Sequence, residues 1–296
     1  MSDTTVAAPA ESTESSNEPK VSQLFNATDA DVILRSSDGV LFKVYRKDLE
    51  AFSEGFAGPG SSQDDENKNP ENDVVQLAES SGVIEIVLQF MRRQRHPDIG
   101  GLPFKMLKDV AEAVEKYQVF SGLEVCNLWM RQPGQLDKWP LEVLAYATKH
   151  GYEDLANTAA KAALGRKTDA VLALLPPHMH MRWLRYIESW YSTSQSILRQ
   201  YTPNQPHGPQ YGFGYNRATE DLDAPCAIWT NFYADVASSL AKGIDGLRDV
   251  NSLFNASAKR TSVATCATCK KWMNTWLETS RETVRKLVLI DIEADK

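Results

Sequence analysis

The sequence contains little cysteine and no long apolar run. Four cysteines in 296 residues are too few for the disulfide framework of a secreted scaffold of this length. No run reaches the ~18 consecutive apolar residues that a membrane-spanning helix needs. The first 20 residues have neither a basic start nor an apolar stretch, so we expect no secretory signal. These absences favour a cytoplasmic or nuclear protein with no membrane segment.

The chain also lacks an excess of basic residues, since its formal net charge is −7. Segments 1–27 and 58–72 each contain four acids and one lysine, so together they carry six of the seven net charges. A nucleic-acid-binding surface needs a basic stripe that neutralises phosphates. The longest basic cluster, 92–95, is more simply interpreted as cations at the C-terminal end of a helix. We therefore expect no nucleic-acid partner.

Two segments have the composition of disordered chain. Residues 1–21 are rich in Ser, Thr, Glu, Pro and Ala and contain few large apolar side chains, so they are predicted to form a disordered tail. Residues 58–72 have a similar composition but lie between two patterned segments. They are therefore predicted to form a disordered acidic insertion within a domain.

The region between the two segments carries the signature of a β-hairpin. Residues 31–37 and 40–46 are rich in β-forming side chains, and the second segment alternates around Phe42 and Val44. Asp38-Gly39 lies between them and supplies the positive φ angle that a tight turn needs. A short helix is predicted next, ending at Gly58-Pro59, and a third strand is predicted at 73–77.

Helical periodicity dominates the rest of the chain. Helices are predicted from the spacing of apolar residues over 104–118, 123–129, 141–164 and 181–201, with a break at Gly151. Two more are predicted to begin near Pro225 and Thr265. The predicted fold class is therefore α+β, with three short strands plus helices over 22–132, followed by an all-α helical domain over 135–296.

Residues 22–132 resemble a BTB/POZ domain of the divergent type common in fungal proteomes. The order of elements, a hairpin, a helix, a strand and then four helices, is what this family shows. The chain departs from the family at Tyr45, where a histidine is usual, and in its long acidic insertion. The residues that carry the resemblance are Asp29–Gly39, Phe42–Tyr45, Leu49, Ser53, Phe56, 73–77, Lys116-Tyr117 and Cys126.

The resemblance implies a protein–protein interaction domain with no chemistry of its own, which self-associates as a homodimer or docks a protein partner. Many BTB adaptors bind cullin-3 through a hydrophobic residue followed two positions later by an acid. The matching positions look like Met106-Leu107-Lys108, where a lysine stands in place of the acid. Because reversing a charge replaces attraction with repulsion, we expect cullin-3 binding to be weak or absent.

Cys266 and Cys269 form the one motif in the chain with chemical potential, because two thiolates at this spacing can bind one metal ion. Cys226 supplies a third sulfur, and His207, on the loop before it, is a candidate fourth ligand. His178 and His180 are alternatives to that histidine, on the segment that opens the helix near 181.

The strong zinc pattern would need a second CxxC pair or a following pair of histidines, and this sequence has neither. The favoured interpretation is therefore that the cysteines pack as small buried thiols without any cofactor. The alternative is a structural zinc site in the C-terminal helical domain. That alternative would make the protein a regulatory or transcription-associated module.

Phosphate-binding glycine loops and the common hydrolase and metalloprotease motifs are missing from the sequence. We therefore expect no catalytic residues and no enzymatic activity. Tryptophans recur at helical spacing, as in Trp183 with Trp190 and Trp272 with Trp276, which is typical of core positions. The function predicted from the sequence is a non-enzymatic protein–protein interaction adaptor.

Overall fold

The computed structural model describes residues 20–56, 74–204, 226–255 and 260–289. The chain divides into an N-terminal unit, Met1–Trp129, and a C-terminal unit, Met130–Lys296. The described residues form a small sheet with helices in the first unit and helices alone in the second, which confirms the α+β class. The predicted insertion 58–72 and most of the predicted tail lie outside the described residues. Val21, the last residue assigned to that tail, instead begins a strand.

The sheet has four strands where the sequence predicted three. The missed strand is β1, which pairs in parallel with β3 and so places a new edge on the sheet. β2 and β3 form the predicted antiparallel hairpin, and β4 pairs in parallel with β2. The strand order is β1-β3-β2-β4, with bounds β1 Val21–Asn26, β2 Val32–Arg35, β3 Leu41–Val44 and β4 Val74–Gln76.

The hairpin turn forms as its sequence predicts. Gly39 has a φ of 84°, the left-handed conformation that glycine adopts without steric cost. Its backbone N–H donates to the carbonyl of Ser36 at 3.0 Å, and the Ser36 N–H donates to the carbonyl of Val40 at 2.9 Å. This turn sets the register that places Phe42 in the core, where its ring centroid lies 6.1 Å from that of Phe25.

Four helices complete the N-terminal sequence of elements. The first ends at Phe52, earlier than the predicted Gly58-Pro59 stop, because Ser53 leaves the helix to form an isolated β-bridge with Val119. The second ends at Phe90, just ahead of the basic cluster. The bounds are α1 Arg46–Phe52, α2 Ser81–Phe90, α3 Phe104–Tyr117 and α4 Phe120–Met130.

The C-terminal unit follows the predicted helical pattern closely. Gly151 adopts a left-handed conformation that ends α6, so the 141–164 region forms two helices as expected. The helix predicted from Met181 begins earlier, at Pro177. The bounds are α5 Pro133–Lys138, α6 Pro140–His150, α7 Glu153–Ala162, α8 Thr168–Leu174, α9 Pro177–Arg199, α10 Ala227–Ala241, a 3-10 helix at Ile244–Asp249, α11 Val250–Asn255, α12 Arg260–Val263 and α13 Ala267–Arg285.

Aromatic side chains form the centre of the C-terminal unit. Trp183 and Trp190 of α9 and Trp276 of α13 are buried, which confirms their predicted core role, whereas Trp272 is only half-buried and departs from that prediction. Trp229 of α10 is buried as well. The Trp276 indole N–H donates to the carbonyl of Ile197 at 2.9 Å, so a polar group inside the core has its partner. This bond joins α13 to α9, and the ring contacts of Trp276 with Trp229 and Phe254 join α13 to α10 and α11. Among the described residues, no helix combines the length and apolar character needed to cross a bilayer.

Candidate functional sites

Three cysteines converge in the C-terminal unit. Cys226 is the N-cap residue of α10, Cys266 is the N-cap residue of α13, and Cys269 lies in the first turn of α13. Their three Sγ atoms all lie within 4.8 Å of one another. The Sγ atoms of Cys226 and Cys269 are 3.5 Å apart. We call these three residues the thiol cluster.

Burial and backbone dipoles act on the thiol cluster in opposite directions. Burial raises the pKa of the Cys269 thiol, and the neighbouring Cys266 and Cys226 side chains raise it further. The positive ends of α10 and α13 meet at the cluster, and a helix N-terminus favours a negatively charged sulfur. The Cys269 backbone N–H also points to the Cys266 Sγ at 3.5 Å. The thiol cluster is therefore largely buried, and it lies at two helix N-termini with one backbone N–H directed at a sulfur.

The spacing of the sulfurs is compatible with a shared ion. In a tetrahedral zinc site with Zn–S bonds of about 2.3 Å, neighbouring sulfurs are about 3.8 Å apart. His207, the candidate fourth ligand, lies outside the described residues. His178 and His180 lie in the first turn of α9, and within the described residues neither belongs to the thiol cluster. His180 Nε2 instead lies 3.0 Å from the carbonyl oxygen of Leu175.

The fourth cysteine, Cys126, occupies a different setting. It lies in α4 and is fully buried. Burial, helped by the charge of Glu115, raises the pKa of its thiol to about 12. Such a thiol remains protonated and unreactive at neutral pH. Cys126 is thus a buried packing thiol and a natural control for the thiol cluster.

The two edges of the sheet are two further candidate binding surfaces. β1 lies at one edge and β4 at the other. Leu24 in β1 is 51% exposed, and Val74 and Val75 in β4 are 41% and 43% exposed. Neither strand contains a charged residue or a proline. Native proteins commonly protect an edge with such residues, because an open edge offers backbone groups to another strand.

A polar cluster joins α3 to the segment before α2. The Tyr117 hydroxyl donates to Glu79 Oε2 at 2.5 Å, and Lys116 Nζ lies 2.8 Å from Glu79 Oε1. Burial and the hydrogen bond to Glu79 raise the pKa of Tyr117 to about 12. Burial opposes ionisation of Glu79, but the bonds from Lys116 and Tyr117 outweigh it and lower the pKa of this carboxyl. The three groups satisfy one another, as a structural cluster does.

The residues matched to the cullin-3 motif lie near the start of α3. Leu107 is buried, while Met106 and Lys108 are half-buried. Lys105 beside them forms an ion pair with Asp109 at 2.9 Å. The sequence suggested the three cysteines that the structure brings together, but it did not reveal the β1 edge, whose apolar residues do not alternate. Neither a protein-family model nor a curated protein matches the chain.

Proposed function

We propose that the protein is a non-enzymatic adaptor that binds a second copy of itself or another protein through its N-terminal unit. The observation that carries this proposal is the pair of uncharged, partly apolar edge strands, β1 and β4. The described residues of 22–132 show a hairpin, a helix, a strand and then three helices, one helix fewer than the BTB order, and this partial match supports the same function. The proposal places recognition at the sheet edges.

An edge strand can bind another chain through its backbone. Its outward-facing N–H and C=O groups pair with an added strand, and side chains on alternate residues set specificity. Leu24 and Val75 would lose exposed apolar area in such a pairing, which stabilises the complex by about 25 cal/mol per Å² buried. The absence of charge on either edge strand removes the usual penalty for this contact.

Light scattering on the full chain tests self-association. We expect the average mass of the wild-type protein to exceed that of the monomer and to rise with protein concentration. Leu24→Lys and Val75→Lys should shift it toward the monomer, because a cation at the edge opposes strand addition. Phe120→Lys is the matched control, since Phe120 is 49% exposed in the same unit but lies at the start of α4.

Docking of a different protein is tested by a photo-crosslinking residue placed at position 24, with position 120 as the control. Capture that depends on position 24 supports an adaptor in which the partner is another chain. A wild type that stays monomeric, together with equal capture from positions 24 and 120, would refute both forms of the proposal at the β1 edge.

We propose further that cullin-3 is not the principal partner. Lys108 carries a positive charge where the family's binding motif has an acid. Like charges placed opposite each other across an interface cost several kcal/mol. Calorimetry with the purified N-terminal domain of cullin-3 should therefore show weak or no binding. A Lys108→Glu variant that gains affinity would identify this lysine as the cause, whereas sub-micromolar binding by the wild type would contradict the proposal.

A further inference from the structure

We propose that Cys226, Cys266 and Cys269 bind one zinc ion through their three sulfur atoms. This site lies in the C-terminal unit and goes beyond the adaptor function of the sheet edges. The observation that carries it is the convergence of three thiols from two helix starts that are distant in sequence. Two of them form a CxxC pair, the spacing that allows both sulfurs to reach one ion.

The observed separations need only a small adjustment to reach zinc geometry. The 3.5 Å between the Sγ atoms of Cys226 and Cys269 is close to the sulfur separation of about 3.8 Å in a tetrahedral site. The largest separation in the cluster, within 4.8 Å, closes by about 1 Å when an ion draws the sulfurs in. Rotation of a cysteine side chain about its Cα–Cβ bond moves Sγ by this distance while the helices stay in place.

The charge of the site is balanced by the backbone. Three thiolates and Zn²⁺ have a net charge of −1, which is costly in a buried position unless donors surround it. α10 has 15 residues and α13 has 19, and both present their positive N-terminal ends to the sulfurs. The Cys269 N–H is aimed at the Cys266 sulfur and supplies one such donor.

The arrangement also predicts what the ion does. Cys226 begins α10, while Cys266 and Cys269 begin α13, so the bound ion joins the two helix starts. Cys269 and Cys266 are buried, whereas Cys226 is only half-buried. The three sulfurs leave the fourth tetrahedral position to a further ligand. Each thiol releases its proton on binding, and the free energy of binding adds to the stability of the fold.

Cobalt substitution of the full chain provides the test. Reduced protein is stripped of metal and titrated with Co²⁺, and Zn²⁺ is then added in competition. We expect one ion per chain, a sulfur-to-cobalt charge-transfer band, tetrahedral ligand-field bands, and loss of all bands when Zn²⁺ displaces Co²⁺. Cys126→Ala is the matched control, and it should behave as the wild type because Cys126 lies in α4.

Removal of any one sulfur of the cluster should weaken the site. Cys226→Ala, Cys266→Ala and Cys269→Ala should each lower zinc affinity by more than about 100-fold, beyond the loss seen when only a supporting residue is changed.

In a Cys126→Ala background, Zn²⁺ should also slow alkylation of the remaining thiols. This second measurement keeps all three ligands in place, so it holds even if a ligand variant fails to fold.

Several outcomes would overturn the zinc site. The reduced wild type would fail to bind Co²⁺ or Zn²⁺, or metal binding would be lost in Cys126→Ala while the three cluster variants keep it. Alkylation rates that do not change on addition of Zn²⁺ would also overturn the site. A Cys226–Cys269 disulfide in protein purified without oxidant would also do so. Leu24→Lys should keep its metal, so failure of the adaptor proposal and failure of the metal site give different results.

Discussion

Asp38, in the turn between β2 and β3, accepts two hydrogen bonds from Ser81, the first residue of α2. The Ser81 backbone N–H lies 2.8 Å from Asp38 Oδ1, and the Ser81 hydroxyl lies 2.6 Å from Oδ2. A carboxylate is thereby held at a helix N-terminus, where its charge is favourable. The contact joins chain segments on either side of the acidic insertion.

The first prediction follows from that contact. Asp38→Ala should lower the free energy of unfolding by about 1 kcal/mol, the usual effect of removing a side chain that caps a helix N-terminus. Urea unfolding at neutral pH measures the change. Glu124→Gln, which also removes an exposed carboxylate, is the control and should be nearly neutral. Equal effects from the two variants would show that the Ser81 contact contributes nothing.

The same contact predicts a pH dependence. The hydrogen bond from the Ser81 hydroxyl, and then that from Ser36, lower the pKa of Asp38 to about 2. An unfolded aspartate has a pKa of about 3.9, so the folded state holds the proton less tightly. The stabilisation is therefore present above pH ~4 and is lost as the pH falls toward ~2. Solvent screening keeps it small, and the difference between wild type and Asp38→Ala should vanish at the acidic end.

The hairpin register provides the second prediction. Phe42 is fully buried against Phe25 on the inner face of the sheet. Phe42→Ala should cost about 3–5 kcal/mol, because it removes a large apolar side chain and leaves a cavity. Thermal and urea unfolding measure the loss. Phe120→Ala removes a half-exposed ring from the same unit and should cost far less, so a near-neutral result for Phe42→Ala would contradict the register.

Local patterns were enough to predict the elements that depend on neighbouring residues. The β2–β3 hairpin follows from alternation around Phe42 and from a glycine at the turn, and the break between α6 and α7 follows from Gly151. β1 was not predicted, because its pairing with β3 is irregular. Val21 pairs with Leu41 and Asn26 pairs with Lys43, so five steps along β1 correspond to only two along β3. The alternation of buried and exposed side chains that predicts a strand is therefore lost in β1.

Tertiary contacts decided the remaining differences. α1 ends at Phe52 because Ser53 pairs with Val119, a partner that no local pattern reveals. In the thiol cluster, the spacing of Cys266 and Cys269 is a local signal that the sequence displays. Cys226 joins the thiol cluster because the start of α10 packs near the start of α13. This packing is a tertiary contact, so the sequence could suggest Cys226 as a third ligand but could not establish its position.

The third prediction concerns the Tyr117 hydroxyl. Tyr117→Phe should lower the free energy of unfolding by about 1–2 kcal/mol, because it leaves Glu79 without one of its two side-chain donors. The ring remains stacked on Phe56, with centroids 4.4 Å apart, so packing is retained. Tyr191→Phe is the matched control, since Tyr191 is 55% exposed. If both variants unfold at the wild-type urea concentration, the hydrogen bond does not stabilise the fold.

The last prediction concerns a close approach of two backbone segments just after α1. Gly55 donates its N–H to the carbonyl of Tyr117 at 2.9 Å. A Cβ atom built on Gly55 would lie 2.5 Å from the Tyr117 Cα and 2.6 Å from its carbonyl carbon. Neither atom belongs to a flexible side chain, so a methyl group at position 55 forces the backbone to move.

Gly55→Ala should therefore destabilise the protein by about 1–3 kcal/mol or more, the range for overpacking a closely fitted site. Urea unfolding measures the change. Gly101→Ala is the control, because a Cβ there meets nothing within 4 Å. Hydrogen exchange at the Gly55 and Glu54 amides should also accelerate in the variant, since both donate to the 117–118 segment. Wild-type stability in Gly55→Ala would show that the segment after α1 and the end of α3 do not approach as closely as described.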